Sequence, residues 1–412
     1  MGPGATCVGS PLAAAARDFF GIDPYEAAHA ACYSPTGCMR DDISEAVLAR
    51  EEVAKYLRGG YGGESGAQAR ERINGYLEEL HTTQRYGMYR ALQHPLYPIL
   101  RKIERIGEQL PQVAEAEREH RIVYVSNHRS HIDYLVEPLV LDDSGIRPPL
   151  IAAGINLFGG PLGLIQKYVT GAIPIRRNTK DPAYLITLKA YVAEILKRQD
   201  LFFYPEGGRS YSGELKSFKT GLIHAVLTAD CPNLVLLPTS ITYDLVLEDH
   251  ILARQRVKKL QRPFTRELAE MVRYAVGYRS RAVVTFGQPI AVNSGAAESR
   301  SDVLELARLV RAQVGAQVKV LPTALFCSAM RPSITRHDLE ERIDRLIGEL
   351  AARHANLGVS SGRQAVEEAA EPLETRGIVV AERGRFRVRE RSVLRYYART
   401  IEHLLATPGR TH

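Results

Sequence analysis

The stretch from Ile122 to Val140 constrains the fold more than any other part of the chain. Ile122, Val123, Tyr124 and Val125 are β-branched or aromatic, the composition of a strand. A polar interruption runs from Ser126 to His131. After it Ile132, Leu135, Val136, Leu139 and Val140 recur at helical spacing. A strand that passes through a short polar loop into a helix is the building unit of α/β proteins, in which ligands gather beyond the carboxyl ends of the strands. His128 and Asp133 stand at that junction. A carboxylate that accepts the proton of one imidazole nitrogen fixes the tautomer and leaves the other nitrogen to take a proton from a hydroxyl. Such a pair makes an external alcohol the nucleophile without a protein Ser or Cys. Ser130 to Asp133 also fits the helix-start pattern Ser/Thr-x-x-Asp/Glu, in which Asp133 would do no more than satisfy backbone N–H groups, and spacing alone favours that simpler role. A metal on His128 and His131 would need a third ligand, and none stands nearby in sequence.

From about 121 to 293 strands and helices alternate, which predicts an α/β core with a mixed, largely parallel sheet flanked by helices. Leu150 to Ala153 reads as a strand, followed by a Gly/Pro-broken segment over 154–171 and a short strand that ends at Arg176 and Arg177. Asp181 as N-cap and Pro182 at the first helical position open a helix with a buried stripe of Leu185, Leu188, Val192, Ile195 and Leu196. Further strands are expected at Leu201 to Tyr204, Leu234 to Leu237 and Ala282 to Phe286, with a helix near Phe218 to Leu227. Residues 1–120 read as a helical N-terminal region without a strand, with helices over Ser44 to Leu57, Ala67 to Leu80 and Leu96 to Leu110. Residues 294–412 read as a mostly helical C-terminal region with one basic hairpin near 378–388. Arg383, Arg385, Arg387 and Arg389 alternate there, either as a solvated or phospholipid-facing edge strand or as the wing of a DNA reader; the first is the simpler reading.

The net charge of +7 favours acidic partners: nucleic acid, anionic lipid or phosphorylated metabolites. Five scattered cysteines without a CxxC pair indicate neither a zinc site nor a disulfide framework, and reduced thiols in a cytoplasmic setting are the expectation. No signal-peptide pattern opens the chain, and no apolar run approaches the about 18 residues that a spanning helix needs.

Two more blocks carry chemistry. Adjacent guanidinium groups at Arg176 and Arg177, at the end of an apolar strand, suit a phosphorylated ligand. Glu206-Gly207-Gly208-Arg209-Ser210 also follows a strand, and its paired glycines let backbone N–H groups approach an anion. Either block alone is a weak signal. In order along the chain, however, Asn127 to Leu135, Gly171 to Arg177, Phe203 to Ser210 and Leu236 to Tyr243 resemble the four blocks of the glycerolipid acyltransferase family, whose first block is HxxxxD. His-Arg-Ser-His-Ile-Asp-Tyr, the Ile-Arg-Arg ending and Glu-Gly-Gly-Arg-Ser are similar to the glycerol-3-phosphate acyltransferase branch. So are Ile151 to Leu157 and Leu394 to Leu405. The branch that acylates lysophosphatidate more often shows NHxSxxD and EGTRS.

That resemblance implies a peripheral enzyme on the cytoplasmic face of the membrane. It would transfer a fatty acyl group from acyl-CoA or acyl carrier protein to the 1-hydroxyl of glycerol 3-phosphate, in phospholipid biosynthesis. His128 is then the general base and Asp133 its orienting partner. Arg176, Arg177 and Arg209 would hold the phosphate, with Gly207, Gly208 and Ser210 shaping the loop that approaches it. Glu206 would position Arg209 or the acceptor hydroxyls, and Pro238 would shape the acyl-binding wall. No metal or organic cofactor is implied, because the thioester is already activated; an anionic membrane surface is the expected partner and nucleic acid is not. Pro174 and Tyr211 depart from the pattern, the latter standing where this branch often has a second arginine, and Lys216 or Lys219 would supply the missing contact. The rival readings are acylation of lysophosphatidate or dihydroxyacetone phosphate, and a non-catalytic lipid- or DNA-binding protein.

Overall fold

The computed structural model describes residues 38–59, 64–82, 84, 103–158, 167, 170–258, 280–292 and 299–406. Helices α1 (Cys38–Ala49), α2 (Glu51–Gly59) and α3 (Gly66–Leu80) come first. Then follow β1 (Ile103–Glu108), α4 (Leu110–Glu119), β2 (Arg121–Ser126), α5 (Asp133–Asp143), β3 (Leu150–Gly154), β4 (Ala172–Ile175), α6 (Pro182–Leu196), β5 (Leu201–Phe203), α7 (Gly221–Leu227), β6 (Leu234–Tyr243), α8 (Asp249–Lys258), β7 (Ser280–Phe286) and β8 (Ile290–Ala291). The remainder comprises α9 (Arg300–Gln317), α10 (Pro322–Ala329), β9 (Ser333–Thr335), α11 (Arg336–Ala351), α12 (Gly362–Thr375), β10 (Val379–Glu382), β11 (Arg385–Val388), α13 (Arg391–Arg399) and α14 (Glu402–Leu405).

The main sheet has eight strands in the order β1-β7-β6-β2-β5-β3-β4, with β8 also paired to β6. From β6 through β2, β5 and β3 to β4 every pairing is parallel; β7 and β8 run antiparallel to β6. Parallel strands are covered on both faces, and β2 shows how. Ile122 and Tyr124 enter one core, shared with helices α10 to α13 of the C-terminal region. Val123 and Val125 enter the other, shared with the N-terminal helices and with α6 and α7. Helix α9 of the C-terminal region joins this second core through Val303, Ala307, Val310 and Val314, so the C-terminal region reaches both faces of the sheet while the N-terminal helices cover one.

The N-terminal helices also brace the second block. Asp181 caps α6, accepting from Ala183 N at 3.0 Å, as the sequence predicts. Arg72 and Tyr76 of α3 bind the same carboxylate. The basic hairpin forms as expected: β10 and β11 pair antiparallel, and β9 completes a three-stranded sheet.

Three expectations need correction. Leu185, expected in the buried stripe of α6, is 41% exposed, while Leu188, Val192, Ile195 and Leu196 are buried. The helix predicted over Leu96 to Leu110 gives way at 103–108 to strand β1, parallel to β7; residues 85–102 lie outside the described residues. The strand wins because Gly107 is a poor helix residue and the pairing with β7 is a better place for Ile103 and Ile106 than an isolated helix face. At Gly107 a Cβ would come within 2.5 Å of the Leu110 side chain and 2.7 Å of the Val140 side chain, so a larger residue would force these neighbours to shift. The strand predicted at Leu234 to Leu237 also continues to Tyr243, because Thr239 to Tyr243 are lined by β7. Residues 1–37, expected to be helical, and most of the Gly/Pro-broken segment over 154–171 lie outside the described residues.

Candidate active site

Parallel register decides where the chemistry collects. Val125 of β2 pairs with Phe203 of β5, Ala152 of β3 with Phe203, and Gly154 of β3 with Ile175 of β4. The segments that leave the carboxyl ends of β2, β5, β3 and β4 therefore emerge side by side. They enclose a cavity of about 260 Å³ lined by His128, Gly154, Arg176, Arg177, Gly207, Gly208 and Lys219, with Ile151, Leu185, Leu188, Phe203 and Leu222 on an apolar side.

Within it His128 Nδ1 lies 2.8 Å from Asp133 Oδ2. The same oxygen accepts from Arg129 N at 2.6 Å and Ser130 N at 2.9 Å, and Oδ1 accepts from the Tyr243 hydroxyl at 2.8 Å. The two roles weighed from the spacing are thus both performed: one fully buried carboxylate holds the loop and orients the imidazole. With Nδ1 donating to Asp133, Nε2 is the nitrogen left to accept a proton. Burial lowers the His128 pKa, and the hydrogen bond and charge of Asp133 oppose that shift. The net shift is downward, which favours the neutral imidazole.

The loop has further fastenings. The Asn127 side chain behaves as one more strand residue, donating to Ile241 O at 3.0 Å and accepting from Ile241 N at 2.8 Å. Glu206 Oε1 accepts from His128 N at 3.0 Å and its Oε2 from Lys216 N at 3.2 Å. Ser210 N donates to His128 O at 3.0 Å, and Ser210 Oγ to Glu214 O at 2.7 Å. Glu248, fully buried after β6, accepts from Ser130 Oγ at 2.8 Å and His131 N at 2.7 Å.

The cationic groups divide between these duties and the cavity. Arg177 lies against Gly154, where a Cβ would come within 2.5 Å of its guanidinium, and beside Gly208. Partial burial lowers its pKa, though a guanidinium stays charged in proteins. The Lys219 side chain packs over Gly207, whose φ of +68° is a left-handed conformation that suits glycine. Arg176 also lines the cavity, but Glu79 grips it at 2.7 and 2.6 Å and Tyr76 and Tyr184 flank it. Arg209 is buried and pairs with Glu248 at 3.3 Å.

The family model for acyltransferases matches residues 102–242. Proteins named acyltransferase plsB1 from Mycobacterium bovis and Mycobacterium tuberculosis are 30% identical over 237 residues, which cover 54% of this chain and 38% of theirs. The glycerol-3-phosphate acyltransferase of Aeromonas hydrophila is 28% identical over 382 residues, covering 83% of this chain and 47% of its own. Residues 102–242 thus carry an acyltransferase domain, and the chain is similar to these acyltransferases over that domain and beyond it. The chain spans less than half the length of these curated relatives.

Set against the family blocks, the structure gathers His128, Asp133, Arg176, Arg177, Gly207 and Gly208 at one cavity. Glu206, Arg209, Ser210 and Pro238 are not on its wall: the first three secure the loops, and Pro238 sits within β6 opposite Val125, with its carbonyl accepting from Gly287 N at 2.7 Å. Glu206 holds His128 N and Lys216 N where positioning of Arg209 or of acceptor hydroxyls was expected. Sequence reasoning passed over Gly154, Tyr204, Asn127 and Glu248. Asn127 lies inside the first block and Tyr204 inside the third, but Glu248 follows all four blocks with no motif to mark it.

Proposed function

We propose that this acyltransferase-family protein transfers a fatty acyl group from an acyl thioester to the 1-hydroxyl of glycerol 3-phosphate. The observation that carries the reading is a buried His128 held by the Asp133 carboxylate in the same cavity as Arg177 and Lys219. Nε2 of His128 takes the proton of the hydroxyl as its oxygen attacks the thioester carbonyl. The C–O bond forms, the C–S bond breaks, and the thiolate takes the proton from the imidazolium. Asp133 stabilises that transient imidazolium.

Arg177 and Lys219 hold the acceptor phosphate, since their charged ends border the cavity beside Gly207 and Gly208. Arg176 contributes from the rim while bound to Glu79, and Arg209 acts through the loop that it braces. The apolar side, with Leu188 buried and Leu185 at 41% exposure, receives the first part of the acyl chain. No helix among the described residues is long and apolar enough to cross a membrane, and the net charge of +7 supports reversible docking on the anionic cytoplasmic face, where the product lipid would be used.

The test is product analysis. Purified protein given glycerol 3-phosphate and either acyl-CoA or acyl carrier protein thioester should release thiol and form 1-acylglycerol 3-phosphate, identified by mass spectrometry. No product with either donor would overturn the reading and favour a lipid-binding role.

A further inference from the structure

Two groups beside His128 take no part in the proton transfer described above: the Tyr204 ring and the Glu137 carboxyl. The Tyr204 ring stacks on the His128 imidazole with centroids 4.3 Å apart and planes 17° from parallel. Its hydroxyl donates to Glu137 Oε2 at 2.7 Å, and Glu137 Oε1 accepts from Ser126 Oγ at 2.5 Å. Glu137 is fully buried on α5, one turn after Asp133. Phe202 also packs against Tyr204 in an edge-to-face arrangement, with centroids 5.1 Å apart. The ends of β2 and β5 and the first turns of α5 therefore converge on one aromatic ring.

We propose that Tyr204, anchored by Glu137, is a positioning residue that fixes the plane of the His128 imidazole for proton transfer. This rests on the reading of His128 as general base. The bond from Nδ1 to Asp133 sets the tautomer and one point on the ring, but the ring can still swing about its link to Cβ. A stacked face at van der Waals distance removes that freedom and leaves Nε2 aimed in a single direction. Proton transfer demands this, because a displacement of about 1 Å at a reacting group can lower a rate by about 10²-fold. A tyrosine that served only as wall would need no buried carboxyl on its hydroxyl. Burying an acid is costly, and its retention here is explained if the anchor holds the ring in register. Burial and the nearby Asp133 push the Glu137 carboxyl well above its usual range, which suits a neutral anchor for the Tyr204 hydroxyl.

The experiment compares ring-keeping and ring-lacking variants of the full chain, with kcat and KM for both substrates and a thermal melt for each. Tyr204→Leu is expected to lower kcat about ten-fold or more, with KM for glycerol 3-phosphate and for the acyl donor within about two-fold. Tyr204→Phe keeps the stacked ring and is expected to retain kcat within about three-fold. An unchanged kcat in Tyr204→Leu, or an effect confined to KM, would overturn the proposal. So would equal losses in the two variants, which would assign the effect to the hydroxyl instead of the ring. Glu137→Leu, which removes the acceptor of the Tyr204 hydroxyl, is the companion if the Tyr204→Leu variant does not fold: a kcat lowered about two- to five-fold at steady KM supports the anchor, and an unchanged kcat in the folded variant overturns it. His128→Ala is the reference. Loss of activity there with a normal Tyr204→Leu defeats this inference alone, whereas an active His128→Ala defeats the general-base reading beneath it.

Discussion

Replacing Asp133 by Asn isolates what the carboxylate charge does. The carboxamide oxygen can keep accepting from His128 Nδ1, Arg129 N and Ser130 N, while its NH₂ turns to Tyr243, whose hydroxyl can rotate to accept. The loop should therefore stay folded, and the loss should fall on the imidazolium formed during transfer. Two unit charges about 4 Å apart interact by about 4 kcal/mol at an effective dielectric constant near 20. Water entering through the cavity mouth reduces this to about 3–4 kcal/mol, equivalent to roughly 10²- to 10³-fold in kcat at 1.36 kcal/mol per decade. The sign of the pH effect follows from the same contact. Burial already lowers the His128 pKa, and Asp133 is the influence that opposes it. Without that charge the pKa falls further, so the neutral base persists to lower pH and the acid limb of the kcat profile moves down. The assay is thiol release from acyl-CoA at saturating glycerol 3-phosphate across pH 5–9, beside a thermal melt. A folded Asp133→Asn protein with kcat within about two-fold of the parent, or an acid limb that moves up, would refute the reasoning.

Other outcomes follow from the placement of the cationic and loop-bracing side chains. Arg177→Ala and Lys219→Ala should each raise KM for glycerol 3-phosphate about ten-fold or more with a smaller effect on KM for the acyl donor, since charge-assisted contacts contribute roughly 1.5–3 kcal/mol; equal effects on both constants would argue against phosphate binding. Arg209→Ala strands buried Glu248 and should cost about 3–5 kcal/mol of stability, read as a lower denaturation midpoint; an unchanged midpoint with a raised acceptor KM would return Arg209 to the substrate. Co-sedimentation should show binding to anionic vesicles that weakens with added salt; no difference between anionic and neutral vesicles would count against membrane docking.

The strand-to-helix junction that carries His128 and Asp133 was legible because it is local. The strand-to-loop-to-helix change of period over 122–140 lies within one stretch, and the structure keeps it as β2, the loop and α5. The layered sheet followed from the alternation of strands and helices for the same reason. What escaped depended on partners distant along the chain. Strand β1 has its parallel neighbour in β7, so nothing around Ile103 announces it. The second half of β6 opens on Pro238, which argues against a central strand, and continues with the polar Thr239 and Ser240; β2 and β7 bury them from either side. Arg176 and Arg209 looked alike in sequence as phosphate ligands. Glu79 and Glu248, neither of them in a recognisable motif, engage both of them, while Arg177 and Lys219 face the cavity.

The central claim is that this cavity acylates a small phosphorylated polyol. The direct measurement is kcat/KM for glycerol 3-phosphate, dihydroxyacetone phosphate and lysophosphatidate on one preparation with one acyl donor. Arg177 and Lys219 placed within a cavity of about 260 Å³ predict that glycerol 3-phosphate leads, by about ten-fold or more over lysophosphatidate, whose acyl chain competes for the apolar side. A clear lead for lysophosphatidate would contradict the account.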